Sequence, residues 1–275
     1  MDWIEFHHPD ISWPVIRRRA GVEIMEMLDL ASTFLTRGGW GLLNQACYPN
    51  QAAFLNATSR LRKSGLIVKR SEGAKTPELI LSDTGKGTLP DYFTPEIMWK
   101  RKWNGIWYLL IYDVPEVDRR YRNVLRQFLK RMRMGCLQQS VWVTPQDIRP
   151  DFEDLTTAAN LDAFAYLFEA KTVLGLSAGQ VVEDAWNFDR LYLLQEHYCS
   201  VMEGNIDRLG RSQYDGEELA ALMRMALEAY HSVFSEDPLL PTQLYPSGYQ
   251  GKTALSLHRK LLSKVSEQFQ CLSSD

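Results

Sequence analysis

The chain has 275 residues, 45% of them hydrophobic and 24% charged, enough to bury more than one core, so two or three domains are expected. No segment approaches about 18 uninterrupted apolar residues and Met1 to Gly21 holds no signal-length apolar run, so neither export nor membrane insertion is expected. The net charge of −3 conceals a division: residues 1–150 hold 22 Lys and Arg against 15 Asp and Glu, residues 151–275 hold 9 against 19, which suits a polyanion-binding front and a solvating back, or is simply an uneven distribution of solvated charge.

After the run Arg17-Arg18-Arg19, Val22, Met25, Leu28, Leu30 and Ala31 to Leu35 recur with helical period, and Gly38-Gly39 ends that helix. Trp40 to Cys47 is a short second helix closed by Tyr48-Pro49-Asn50. Asn50 then caps a third, running to Ser64, with Ala53, Phe54, Ala57 and Leu61 on one side and Gln51, Asn56, Ser59, Arg60, Arg62 and Lys63 largely elsewhere. Gly65 follows as its stop. Leu66-Ile67-Val68 and Leu79-Ile80-Leu81 are two β-prone runs flanking the charged tract Lys69 to Glu78. Three helices and then a hairpin with a basic tip is the order of a winged helix-turn-helix module.

Pro90 to Lys102 reads as a connector. Ile106 to Tyr112 is a continuous apolar run, as expected of a strand covered on both faces. From Val117 to Arg133, apolar residues at helical spacing leave Arg119, Arg120, Arg122, Arg126, Lys130, Arg131 and Arg133 on the other faces, and Gly135 closes the helix. Leu137 to Val143 supplies a strand, Pro150 to Ala159 a helix and Ala163 to Ala170 another strand, an order that fits a ferredoxin-like split βαβ domain. Helices are predicted from Trp186 to Leu209, Gly216 to Phe234 and Thr253 to Phe269, with a loop rich in Pro, Tyr and Leu over Ser235 to Gly251. The fold class is therefore α+β: a winged helix-turn-helix domain at 1–90, a ferredoxin-like domain at 91–175 and a mainly helical C-terminal domain at 176–275.

The strings WNGIWYLLIYDVPEVDRRYRNVLRQFLKRM (Trp103 to Met132), GCLQQSVWVTPQDI (Gly135 to Ile148), AWNFDRL (Ala185 to Leu191) and DPLLPTQLYPSGYQGKTA (Asp237 to Ala254), in this order after a winged helix, resemble the PaaX-type regulators of phenylacetate degradation over essentially the whole chain. The resemblance implies a homodimeric repressor that binds a partly palindromic operator and is released by an acyl-CoA effector such as phenylacetyl-CoA.

With the third helix in the major groove, Gln51 and Asn56 are candidates to read adenine edges and Arg60 or Arg62 guanine, with Ser59 beside them. Lys63, Lys69, Arg70 and Lys75 are candidates for phosphate contacts, which set affinity and register without reading sequence. The arginine-rich helix Val117 to Arg133 admits three readings: a solvated face, a second phosphate contact, or a dock for a CoA phosphate or a dimer partner. Asp113 carries the rival assignment. A strand ending in Tyr-Asp-Val-Pro, followed by an arginine-bearing helix and a QQSV strand, also resembles the small ferredoxin-like nucleases of CRISPR spacer acquisition, in which such an aspartate serves metal-dependent cleavage. Capping the following helix is the plainer role for it. A winged helix that binds protein instead of DNA is a third class, distinguished by the absence of salt-sensitive duplex binding.

Signals for an enzyme are otherwise thin. Gly85-x-Gly87 lacks the context of a phosphate loop, His7-His8, His197, His231 and His258 have no ligand-spaced partners, and Ser140 has no nucleophile-elbow setting. Cys47, Cys136, Cys199 and Cys271 show no CxxC pair and read as reduced, mostly buried thiols of a cytoplasmic protein, with no cofactor expected. Trp99, Trp103, Trp107 and Tyr108 are read as core before effector pocket. Leu219, Leu222, Met223, Leu227 and Tyr230 form the packing side of their helix.

Overall fold

Good helix formers in QAAFLNATSRLRK build helix α1, Gln51–Lys63, which buries Ala57, Thr58 and Leu61 on one side. Gly65, at φ 74°, terminates it in a Schellman motif: the Gly65 amide donates to the Arg62 carbonyl at 3.1 Å and the Leu66 amide to Leu61 at 3.0 Å. Strands β1 (Ile67–Arg70) and β2 (Glu78–Leu81) then pair antiparallel, Ile67 opposite Leu81 and Arg70 opposite Glu78. Ser82 joins helix and hairpin. Its amide donates to the Leu66 carbonyl at 3.1 Å, its Oγ lies 2.5 Å from the Gly65 carbonyl, and the same Oγ caps the short helix α2, Asp83–Gly87, by accepting from the Gly85 amide. A Cβ on Gly85 would stand 2.0 Å from the Leu66 carbonyl oxygen, so this glycine permits a close backbone approach.

The computed structural model describes residues 3–5, 25, 51–70, 78–89, 94–114, 119–153, 165–172 and 175–272. The helices expected at Val22 to Leu35 and Trp40 to Cys47, the Asn50 cap and the hairpin tip lie outside these residues, apart from Met25. Two compact units result, one composed of Met1–Phe93, Leu193–Phe234 and Gln250–Asp275, the other of Thr94–Tyr192 and Ser235–Tyr249.

The first unit also contains most of α6 (Phe188–Arg211) and α7 (Gly216–Glu236), and α8 (Gly251–Leu272). The predicted packing side of α7 is buried, and burial extends round the helix to His231, Val233 and Phe234. Tyr230 stacks on Phe234 and on His258 at 4.4 and 4.3 Å, and His258 Nδ1 lies 2.7 Å from the Tyr198 hydroxyl. Near the N-terminus, the Ile4 amide donates to Asn205 Oδ1 at 2.9 Å, Asn205 Nδ2 donates back at 3.0 Å, and the Trp3 indole donates to the Glu218 carbonyl at 2.9 Å.

In the second unit, β3 (Trp107–Tyr112), β4 (Gly135–Gln138), β5 (Val141–Thr144) and β6 (Ala165–Ala170) form one sheet in the order β4-β5-β3-β6, every neighbouring pair antiparallel. This is the strand order of a split βαβ arrangement, with helix α4 (Arg119–Arg131) between β3 and β4. The run from Trp107 to Tyr112 is covered on both sides, as its unbroken apolarity predicts. Tyr108, Leu110 and Tyr112 pack with Leu125, Leu129 and Trp142, whereas Trp107 and Leu109 pack with Val143, Val181, Val182 and Leu240.

Several expectations need correction. Leu137 to Val143 is not one strand: Gln139 and Ser140 form the turn of a β4–β5 hairpin, and the Tyr112 amide binds the Ser140 carbonyl at 3.1 Å. Gly135 does not close α4. Arg133 does, at φ 59°, with its amide on Lys130 and the Met134 amide on Leu129. Gly135 is small for another reason, since a Cβ there would meet the Ala185 Cβ and the Trp186 ring at 2.6 and 2.7 Å. Helix α5, Ala178–Ala185, was not predicted; Ser177 and Gln180 form its capping box. The connector carries the short helix α3, Pro95–Trp99. Among the described cysteines only Cys199 is buried, with Cys136 half-buried and Cys271 exposed.

Candidate functional site

The outward arc of α1 presents Ala52, Leu55, Asn56, Ser59, Arg60, Arg62 and Lys63, all exposed, opposite the buried Ala57, Thr58 and Leu61. At 100° per residue these exposed positions fall within about half a turn, so one face carries polar, cationic and apolar groups together. Leu55, near one edge of this arc beside Arg62, is 53% exposed. The three cations occupy the last turn, where the unpaired carbonyls of the helix end favour positive charge. On β1, Val68 and Lys69 are both exposed. Of the remaining candidates, Gln51 and Arg70 belong to α1 and β1 by backbone, and Lys75 lies outside the described residues. Asn56, Ser59, Arg60, Arg62, Lys63 and Lys69 are thus brought onto one helix–hairpin element, fastened at its base by Gly65 and Ser82.

Asp113 is exposed directly after β3. Glu116 and Asp118, the next carboxylates along the chain, lie outside the described residues, and no group of three potential metal ligands occurs among the described ones. The basic surface of α4 is less uniform than its sequence suggests. Lys130 is exposed and Arg126 half-buried, but Arg133 turns inward and donates through Nη1 to the Asp237 carbonyl. Trp99, Trp107 and Tyr108 are buried, which agrees with the core reading.

A second polar constellation was not anticipated. Asp237 is fully buried, and its Oδ1 accepts from the Tyr245 hydroxyl at 2.6 Å and the Leu239 amide at 2.8 Å while Oδ2 accepts from the Tyr249 hydroxyl at 2.6 Å. The Tyr245 oxygen in turn accepts from the Leu240 amide at 2.9 Å, and the two tyrosine rings stack with centroids 3.6 Å apart. Burial pushes the Asp237 carboxyl above its ordinary range, opposed by the two tyrosine bonds, the Leu239 amide and the charge of Arg133. Burial, and then the nearby Asp237 charge, push both tyrosines upward. The result is a clasp that fixes the loop after α7. The sequence signal was the string DPLLPTQLYPSGY, whose acid and tyrosines converge only after folding.

Comparison with known proteins adds three findings. A family model for the PaaX protein central Cas2-like domain matches residues 100–182, and one for the PaaX-like protein C-terminal domain matches residues 186–271. Among curated proteins the chain is similar to the transcriptional repressor PaaX of Escherichia coli (strain K12), at 24% identity over 168 residues, 59% of this chain and 52% of that protein. The alignment therefore spans about half the length of that relative. Among solved structures the chain is similar to the uncharacterized protein Rv0674 from Mycobacterium tuberculosis, with a TM-score of 0.51 and 16% identity, covering 90% of this chain and 96% of that one. At that identity the likeness concerns the fold alone.

Proposed function

The chain belongs to the PaaX family, and from that premise we propose that it is a transcriptional regulator that binds duplex DNA through α1 and the β1–β2 hairpin. In this reading residues 1–90 form a winged helix-turn-helix, with α1 as the helix that enters the major groove. Arg60 and Arg62 are the candidates for guanine edges and Gln51 and Asn56 for adenine, while Lys63, Lys69, Arg70 and Lys75 neutralise phosphates. The exposed cationic arc of α1 carries the proposal, since phosphate contact needs fixed positive groups on an accessible face. The family resemblance extends it: a cytoplasmic homodimeric repressor, a partly palindromic operator, and release by an acyl-CoA effector such as phenylacetyl-CoA. No helix among the described residues is long and apolar enough to cross a membrane.

The test is footprinting on the DNA upstream of the protein's own gene, with and without acyl-CoA thioesters, alongside the double substitution Arg60→Ala, Arg62→Ala. The variant is expected to lose operator binding while retaining its circular dichroism. Each phosphate-contacting cation adds about 0.9 to the slope of log affinity against log salt. Unchanged affinity in the variant rejects this surface, and binding without salt dependence rejects the mechanism.

A further inference from the structure

A cavity of about 310 Å³ opens within the second unit. Arg101 and Lys102 line it from the segment after α3, Arg133 from the end of α4, and Gln146 and Asp147 from the turn after β5. Met132 and the Pro238–Pro241 turn supply an apolar wall. The lining thus sets three cations against one carboxylate, and Arg149 holds that carboxylate, Asp147, at 2.9 and 2.6 Å.

The cationic wall is built in place. The Arg101 guanidinium donates to Gln146 Oε1 at 2.8 Å, to the Leu239 carbonyl at 3.1 Å and to the Met98 carbonyl at 3.2 Å, bonds that fix its orientation. Arg133 is held at both ends: its guanidinium donates to the Asp237 carbonyl, and its own carbonyl accepts from the Trp186 indole at 3.2 Å. Its charge also reaches the buried Asp237 carboxylate, which the tyrosine clasp engages. Arg133 and Leu239, at φ 59° and 46°, are the non-glycine residues with left-handed backbone among the described residues, and both stand in this wall. Such backbone persists where surroundings over-determine it, and it gathers at ligand sites.

We propose that this cavity is a binding site for a small organic anion, with its carboxylate or phosphate set against Arg101, Arg133 and Lys102 and its apolar body against Met132 and the Pro238–Pro241 turn. The volume lies at the lower end of the range of about 300–1,000 Å³ for ligand pockets, which suits a single-ring acid and excludes a whole dinucleotide. A fixed cation pair selects charge, and the proline-rich wall accepts a ring without a specific bond to it. The site stands whether or not α1 binds DNA.

Calorimetric titration of the full chain with benzoate, phenyl phosphate and uncharged benzamide tests this. One or both anions are expected to bind with a Kd of about 1 mM or tighter, and benzamide about tenfold more weakly. Binding by benzoate alone identifies a carboxylate site, by phenyl phosphate alone a phosphate site. Arg101→Gln is expected to weaken anion binding about tenfold. Because Arg101 also ties together three chain segments, the exposed Lys102→Gln keeps the test valid with a loss of about threefold and an unchanged fold by circular dichroism. Absence of binding by either anion at about 10 mM, equal binding of benzamide, or anion binding indifferent to both substitutions would overturn the assignment. Operator binding measured on the same preparations shows separately whether the DNA reading holds.

Discussion

His258 lies at the centre of the helical core with its Nδ1 against the Tyr198 hydroxyl, its ring under Tyr230, and no hydrogen-bond partner on Nε2. Burial, and then the positive charge of Arg259, lower its pKa from 6.5 to about 3. The native state therefore takes up this proton only near pH 3, whereas the unfolded chain takes it up below pH 6.5. Within that window acid favours unfolding, and stability rises with pH. At about 1.4 kcal/mol per pH unit, the whole window amounts to about 5 kcal/mol, of which about 2 kcal/mol is lost between pH 7 and pH 5. Urea denaturation followed by helical ellipticity at pH 7, 6 and 5 measures the slope. His258→Phe offers a ring of similar shape without a titrating nitrogen and should remove this component, even though losing the Tyr198 partner lowers its absolute stability. The carboxylates titrate alike in both proteins, so the difference between their slopes isolates His258. Equal slopes for wild type and variant between pH 7 and 5 would refute the reasoning.

Four further substitutions, at three positions, test the packing. Arg133→Gly should unfold at higher denaturant than Arg133→Ala, by about 1 kcal/mol, because glycine accepts the left-handed backbone and alanine does not, the reverse of their order within a helix. Asp237→Ala leaves two buried tyrosine hydroxyls and the Leu239 amide without their acceptor and should cost about 3–5 kcal/mol, with proteolysis appearing first in the loop between α7 and α8. Gly85→Ala should cost about 1–3 kcal/mol by thermal melting, since the added methyl meets a backbone oxygen that cannot yield.

The parts of the fold that were legible in the sequence rest on short-range chemistry. Gly65 marked the end of α1, the β-prone runs on either side of a charged tract marked the hairpin, and the unbroken apolar run of β3 announced a strand with two covered faces. The misreadings arose where distant contacts decided. Arg133 occupies a left-handed position usually held by glycine, stabilised by a carbonyl 104 residues away. Gln139 and Ser140 make a hairpin turn without the usual Asn-Gly signal. Helix α5 did carry a local sign in Ser177 and Gln180, but its eight residues are too few for periodicity to show. The candidate site divides in the same way. The cations of α1 declare themselves by spacing, whereas the cavity draws its wall from segments that only tertiary structure assembles.

The first unit unites residues far apart in the chain: the Trp3 indole reaches Glu218, and Ile4 reaches Asn205, 215 and 201 positions away. During translation these residues leave the ribosome long before their partners exist, and α8 follows later still. Completion of this unit must wait for the synthesis of α8, and nascent chains stalled before Gly251 should remain susceptible to chaperone capture.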